Sequence, residues 1–157
     1  MLNTLDEWLD HIGRQHAAEI VMGLDRVRAV WEKMDRPAAP LNIVVGGTNG
    51  KGSTCAMLES ILHVAGFKTG FYSSPHLVRY NERVRIDAVE AKDSQLVASF
   101  AAVERARTLA NPPLPLTYFE YATLSALWLF QQQQVEVAIL EVGLGGRLDA
   151  VNIVDAD

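Results

Sequence analysis

Little in this sequence can staple it from outside its core. There is one cysteine, Cys55, among 157 residues. No intrachain disulfide is possible and no thiolate-rich zinc site can form, which fits a reducing compartment. Excess positive charge is also missing: 14 Lys and Arg stand against 19 Asp and Glu, a net charge of -5. That balance gives no general pull toward nucleic acid or an anionic membrane, while leaving room for a local phosphate pocket. No apolar run approaches the ~20 residues that span a bilayer. The first residues, Met1-Leu2-Asn3-Thr4-Leu5-Asp6-Glu7-Trp8, are acidic and amphipathic, without the basic start and unbroken apolar stretch of a secretory signal. A cytoplasmic location is expected, with neither nucleic acid nor membrane as partner. What is present is a core: 49% of residues are hydrophobic and 21% charged, the profile of one compact domain and not of a disordered chain.

Leu2, Leu5, Leu9 and Ile12 recur at helical spacing, and Leu24 to Met34 forms a second amphipathic stretch that Pro37 and Pro40 bring to an end. Leu41 to Val45 is short, apolar and β-branched and reads as a buried strand. Ser53 to Ala65 is helical, with Gly66 placed as its left-handed C-terminal residue. Thr69 to Tyr72 and Arg83 to Ile86 read as strands. Asp93 or Ser94 can cap a helix carrying Leu96, Phe100 and Val103. Asn111 to Pro115 is a stiff loop, and Phe119 to Phe130 is apolar on nearly every side, as a buried helix would be. Gln131 to Gln134 reads as a solvated helix end, and Val135 to Val142 as a strand. Strands alternating with helices predict a three-layer α/β domain around a parallel sheet. Ligands collect at the carboxyl ends of such strands, where glycines, serines and acids follow Val45, Tyr72 and Leu140.

Gly46-Gly47-Thr48-Asn49-Gly50-Lys51-Gly52-Ser53-Thr54 lies between a strand and a helix. Glycines allow the backbone N–H groups to close on phosphate oxygens, the helix N-terminus adds partial positive charge, and Lys51 adds a full one. The pattern departs from Gly-x4-Gly-Lys-Ser/Thr, with Val45 at the first glycine position and Gly52 after Lys51. The strand–loop–helix context still favours phosphate binding by Thr48, Asn49, Gly50, Lys51, Gly52 and Ser53 over an ordinary glycine-rich turn. Ser53 or Thr54 could supply a hydroxyl near a cation.

Glu141 ends an apolar strand, where an isolated carboxylate is costly unless paired or metal-bound. Beside a triphosphate it suits Mg2+, which prefers oxygen ligands shared with phosphate. The other reading is a structural carboxylate held by Lys51 or by backbone N–H groups. Ser74 precedes Pro75, and on residue logic alone a turn role is favoured. His76, like His11, His16 and His63, belongs to no metal-ligand spacing. Arg79, Arg83 and Arg85 could meet an anionic substrate or could decorate an exposed strand. Glu120 could cap its helix or touch a substrate.

Four segments together resemble the folylpolyglutamate synthase/dihydrofolate synthase family of the Mur-ligase-like superfamily, and most of all its bifunctional bacterial form. They are Gly47 to Ser53, Tyr72-Ser73-Ser74-Pro75-His76-Leu77, Leu116-Thr117-Tyr118-Phe119-Glu120, and Leu140 to Asp149. The resemblance implies a P-loop NTPase-type domain like the Mur-ligase central domain. It implies ATP on residues 48 to 53 with Lys51 as the catalytic cation, and Mg2+ held by Ser74 and Glu141. Thr117, Tyr118, Phe119, Glu120, Leu148, Asp149 and Ala150 become parts of a pteroate pocket, with Arg14 to Ala17 near another pteroate-contacting segment. The implied reaction activates the carboxylate of dihydropteroate or of a folate tail as an acyl phosphate, which the amine of L-glutamate then converts to an amide. The implied parent is a monomer.

Members of that family are much longer. The resemblance therefore implies that residues 1–157 form an N-terminal ATP-binding domain, truncated and incomplete at its C-terminal end. A second, glutamate-binding domain, a further histidine ligand to Mg2+ and a modified lysine would lie beyond it, and the 157 residues alone are expected not to complete the ligase cycle. Two rival classes share the same loop: a small-molecule kinase, which leaves a stable phosphorylated product, and a nucleotide-binding module without catalysis.

Overall fold

Alternation at a period of two decides the layers. In the strands at the middle of the sheet, Tyr72, Ala138 and Leu140 pack into one hydrophobic cluster, while Phe71 and Ile139, their chain neighbours, pack into another. Successive strand side chains point to opposite faces, so both faces must be covered. A computed structural model describes residues 2–15 and 23–157, and in it helices cover both.

The elements run α1 (Leu5–Gly13), α2 (Asp25–Lys33), β1 (Leu41–Val45), α3 (Lys51–Val64), β2 (Thr69–Tyr72), β3 (Val84–Ile86), β4 (Val89–Glu90), α4 (Asp93–Arg107), α5 (Tyr118–Gln132) and β5 (Val137–Glu141), with short 3-10 turns at Tyr80–Arg83 and Ala150–Ile153. The sheet order is β1-β5-β2-β3-β4. β1, β5 and β2 are parallel, as expected for crossover connections. The sheet then departs from the all-parallel expectation: β3 pairs antiparallel with β2, and β4 with β3. The connections explain this, since short loops joining neighbouring strands permit only antiparallel pairing.

α3 lies on one face through Cys55, Leu58 and Leu62, against Phe71 and Ile139. The larger cluster on the other face brings Trp8 and Ile12 of α1 and Val27 and Val30 of α2 together with Phe100 of α4 and the length of α5. α5 buries ten residues, in keeping with its apolar circumference. Gly66 follows α3 with φ 90°, where a left-handed residue was expected.

Three expectations need correction. β1 is an edge strand and not a buried one: of its five residues only Asn42 is buried. α3 begins at Lys51, two residues before the expected Ser53, so the phosphate-loop lysine belongs to the first helical turn. α4 is capped from Lys92, whose N–H donates to Gln95 Oε1 at 2.8 Å, while Asp93 instead accepts from Asn81 Nδ2 at 2.8 Å. Of the expected Arg14–Ala17 segment, Arg14 and Gln15 follow α1, and His16 and Ala17 lie outside the described residues.

Candidate functional site

The chain leaves β1 at Val45, turns through five exposed residues and enters α3 at Lys51. Gly50 makes the turn possible. It is the N-cap residue of α3 with φ 77°, a conformation that costs an L side chain roughly 1–2 kcal/mol. The Lys51 ammonium reaches back across the loop and donates to Gly47 O at 2.9 Å. The two hydroxyls proposed beside a cation part company here. Thr54 Oγ1 donates to Gly50 O at 3.0 Å, whereas Ser53 is exposed in the first turn. Thr48, Asn49, Gly50, Gly52 and Ser53 are all exposed around this helix N-terminus.

Glu141 stands beside this loop. It pairs in register with Val45 across β1 and β5, and a Cβ on Gly52 would lie 3.8 Å from its Oε1. Its side chain is 7% exposed. Among the described residues it makes no hydrogen bond and no ion pair, and Lys51 does not hold it. That disposes of the structural-carboxylate reading. Neither carboxylate oxygen is sealed from solvent, and beside the glycine-rich loop the donor type suits a hard cation that takes most of its remaining ligands from phosphate and water. No group of three or more His, Cys, Asp and Glu side chains among the described residues could hold a metal, so Glu141 would share its cation with hydroxyl and phosphate oxygens. Cys55 is buried nearby, and burial, reinforced by the Glu141 charge, pushes its thiol up to about 12.

The next strand brings Ser73 and Ser74, both half-buried. Ser73 N donates to Arg83 O at 3.0 Å. The loop that follows is clamped by Glu82, whose carboxylate accepts from the N–H groups of Leu77, Val78 and Arg79 at 2.8, 2.8 and 2.6 Å. Those three bonds hold its pKa down to about 2. The three arginines of this region take separate roles. Arg79 pairs with Glu90 at 2.7 Å, and Arg85 pairs with Glu59 and stacks on Phe71 at 4.3 Å. Among the described residues Arg83 meets no carboxylate: its Nε donates to His76 Nδ1 at 2.8 Å, and its guanidinium lies over the Tyr80 and Tyr118 rings at 5.5 and 5.3 Å. Desolvation, then the Arg83 charge, lowers the His76 pKa.

The expected pteroate segments flank this cluster. Thr117 and Glu120 form a capping box: Thr117 N donates to Glu120 Oε2 at 2.8 Å and Glu120 N to Thr117 Oγ1 at 3.2 Å. The second Glu120 oxygen accepts from Arg26 Nη2 at 2.8 Å. The capping role of Glu120 is therefore filled, and both of its oxygens are engaged. Tyr118 and Phe119 are partly exposed at the mouth of the helix. Phe119 leans on the glycine-rich loop so closely that a Cβ on Gly143 would lie 2.6 Å from its ring. Asp149 holds that loop by accepting from Gly143 N, Leu144 N and Val151 N at 3.0, 2.9 and 3.0 Å. Burial raises its pKa against the pull of those three donors. Leu148 is exposed and Ala150 buried. The clamp roles of Glu82 and Asp149 escaped sequence reasoning; their signal is an acid a few residues from several N–H groups that have no ladder partner.

A strand, a glycine-rich loop and a helix carrying Lys51 in its first turn, with an acid that has no partner among the described residues at the end of the adjacent parallel strand, define a P-loop-type α/β domain. No family model matches the chain. It is 57% identical over 155 residues to the dihydrofolate synthase/folylpolyglutamate synthase of Escherichia coli K12, covering 98% of this chain and 36% of that protein. Among solved structures, FolC of E. coli in complex with DHPP and ADP superposes with a TM-score of 0.92 at 55% identity, covering 98% of this chain and 36% of that one. The bifunctional folylpolyglutamate synthase/dihydrofolate synthase of Yersinia pestis complexed with AMPPNP and Mn ion gives 0.91 at 51%, covering 99% and 37%. The chain belongs to the folylpolyglutamate synthase/dihydrofolate synthase family. It spans about a third of the length of these relatives.

Proposed function

We propose that residues 1–157 supply the ATP-binding half of the active centre of a ligase that adds L-glutamate to dihydropteroate, to folate polyglutamate tails, or to both. The observation that carries the reading is the buried, unpartnered Glu141 carboxylate against the first turn of α3. The ADP, AMPPNP, Mn and DHPP named for the relatives' structures support it.

In this reading the N–H groups of residues 48 to 53 and the helix dipole hold the ATP phosphates, and the Lys51 ammonium offsets the charge that develops on the transferred group. Glu141 and Ser74 would hold Mg2+, which supplies charge neutralisation between the phosphates and the attacking oxygen. Tyr118 and Phe119, with Leu148 across the glycine loop, would form an apolar wall for the pterin ring. Thr117, Glu120, Asp149 and Ala150 shape the wall, since their side chains are spent on capping, clamping or burial. No nucleophilic side chain is needed, because the substrate carboxylate attacks the γ-phosphate and glutamate's amine attacks the acyl phosphate. No helix among the described residues is long and apolar enough to cross a membrane.

Calorimetric titration with AMPPNP and Mg2+ tests the core of this reading. Lys51→Ala is expected to weaken nucleotide binding by about 10- to 100-fold, the range for a hydrogen bond to a charged group. Glu141→Gln is expected to remove the Mg2+ dependence. Unchanged titrations in both variants would remove the site from residues 48–53 and 141. Product analysis after incubation with ATP, dihydropteroate and glutamate separates the chemistry: an amide with free phosphate fits the ligase, and a stable phosphorylated product fits a kinase.

A further inference from the structure

Arg83 stands out from the other cations of its loop because no carboxylate among the described residues pairs with it. Arg79 and Arg85 each pair with a carboxylate. Arg83 is half-buried and, among the described residues, held by neutral groups: the His76 ring on its Nε, and the adjoining Tyr80 and Tyr118 rings, whose centroids stand 6.3 Å apart on one side of it. Among the described residues neither of its Nη atoms makes a hydrogen bond or an ion pair. Ordering a long cation against two aromatic rings costs side-chain entropy. The result is a guanidinium fixed in position with both Nη groups unspent among the described residues, a fork that matches a carboxylate.

Its place in the sheet says which carboxylate. Val45 pairs with Glu141, and Leu140 with Tyr72, so Glu141 stands level with Ser73. Ser73 in turn is hydrogen-bonded to Arg83 O. One row across four adjacent strand positions therefore reads phosphate loop, Glu141, serine loop, Arg83. Two strand spacings, about 10 Å, separate the Glu141 and Arg83 positions. A metal, a transferred phosphoryl group and an attacking carboxylate fit that interval in this order. Beyond Arg83 stands Tyr118, at the start of the segment proposed to wall the pterin.

We infer that Arg83, oriented by His76 and backed by the Tyr80 and Tyr118 rings, binds the carboxylate of the pteroate or folate acceptor and aims it at the phosphate loop. The inference rests on the ligase reading above. Arg83 is a substrate-binding residue in this scheme, and His76 is a positioning residue that acts through it.

The test compares dihydropteroate with its carboxamide analogue, which keeps the ring and loses the charge, and uses AMPPNP as an internal reference. The wild-type chain is expected to bind the acid about 10- to 100-fold more tightly than the amide, the range for hydrogen bonds to a charged group. Arg83→Met should erase that preference while leaving AMPPNP affinity and thermal unfolding near wild type. Arg83→Lys should keep part of it, since the charge remains and the fork does not. His76→Ala should weaken acid binding less than Arg83→Met and leave amide binding unchanged. An Arg83→Met chain that still prefers the acid overturns the inference and leaves the ligase reading standing. Loss of AMPPNP affinity in the same variant assigns Arg83 to phosphate and overturns it as well. A wild-type chain that binds neither acid nor AMPPNP overturns both readings together. If Arg83→Met fails to fold, Arg83→Lys decides: an undiminished preference for the acid shows that the fork is not used.

Discussion

At the scale of single residues, the site depends on where unpaired charge is tolerated. Glu141 and Arg83 carry opposite charges without partners among the described residues, whereas Glu82 spends its charge on three backbone N–H groups of the loop that bears His76. Its pKa falls from 4.5 to about 2 because those donors stabilise the ionised form. A depressed folded value means that the stabilisation is complete above 4.5 and is lost as pH falls through about 2. The carboxyl carbon of Glu82 should therefore titrate in NMR with a midpoint near 2. At neutral pH, Glu82→Gln should speed hydrogen exchange at Leu77, Val78 and Arg79, since an amide side chain offers one acceptor oxygen in place of two. A midpoint at the ordinary carboxyl value would show that the clamp is not formed in solution.

At the scale of elements, the N-terminus of α5 is the joint where α2, α5 and the glycine-rich loop meet. Its capping box satisfies the end of a helix that is buried nearly all round, and the Arg26–Glu120 pair at 2.8 Å ties α2 to the same point. Glu120 is 3% exposed, so its removal strands the Thr117 N–H and takes the Glu120 carboxylate away from the Arg26 guanidinium. Glu120→Ala is expected to lower unfolding stability in urea by about 3 kcal/mol, the low end for breaking a buried pair. A loss under about 1 kcal/mol would mean that water replaces the carboxylate and that the joint is looser than its geometry. The glycine-rich loop after β5 is coupled to the same joint, because Gly143 has no room for a Cβ beside the Phe119 ring.

At the scale of the whole molecule, the two apolar clusters lie on opposite faces of the sheet, and the smaller one holds the single cysteine. Cys55 is fully buried, and its thiol is pushed up to about 12 by burial and then by the Glu141 charge. Thiolate is the reactive form, so alkylation in the native state at pH 8 should proceed only through opening of the fold. Its rate should rise with urea in step with the unfolding equilibrium, which mass spectrometry of the iodoacetamide adduct measures. Rapid alkylation without denaturant would show that α3 does not stay seated on the sheet. The outer side of this layer is less closed: β1 forms the sheet edge, and Met57, Ile61 and Val64 of α3 are exposed.

The sequence by itself determined the elements and the cradle. Short apolar runs at Leu41, Thr69 and Val135, helical periodicity around Leu58, the all-round apolar stretch at Leu124, and glycines ahead of Lys51 are local signals, written within a few residues of the structure they produce. It could also place Ser74 and Glu141 at strand ends, because strand length sets where a chain emerges from a sheet. Only the tertiary structure decided that β1 is an edge and that β3 runs antiparallel, since strand order depends on pairings between distant segments. It alone separated Arg83 from Arg79 and Arg85: the three look alike in sequence, and their roles follow from whether Glu90, Glu59 or no acid among the described residues stands across from them in space. It likewise assigned the Glu120 carboxylate to Thr117 and Arg26, because a partner 94 positions away leaves no mark on local pattern.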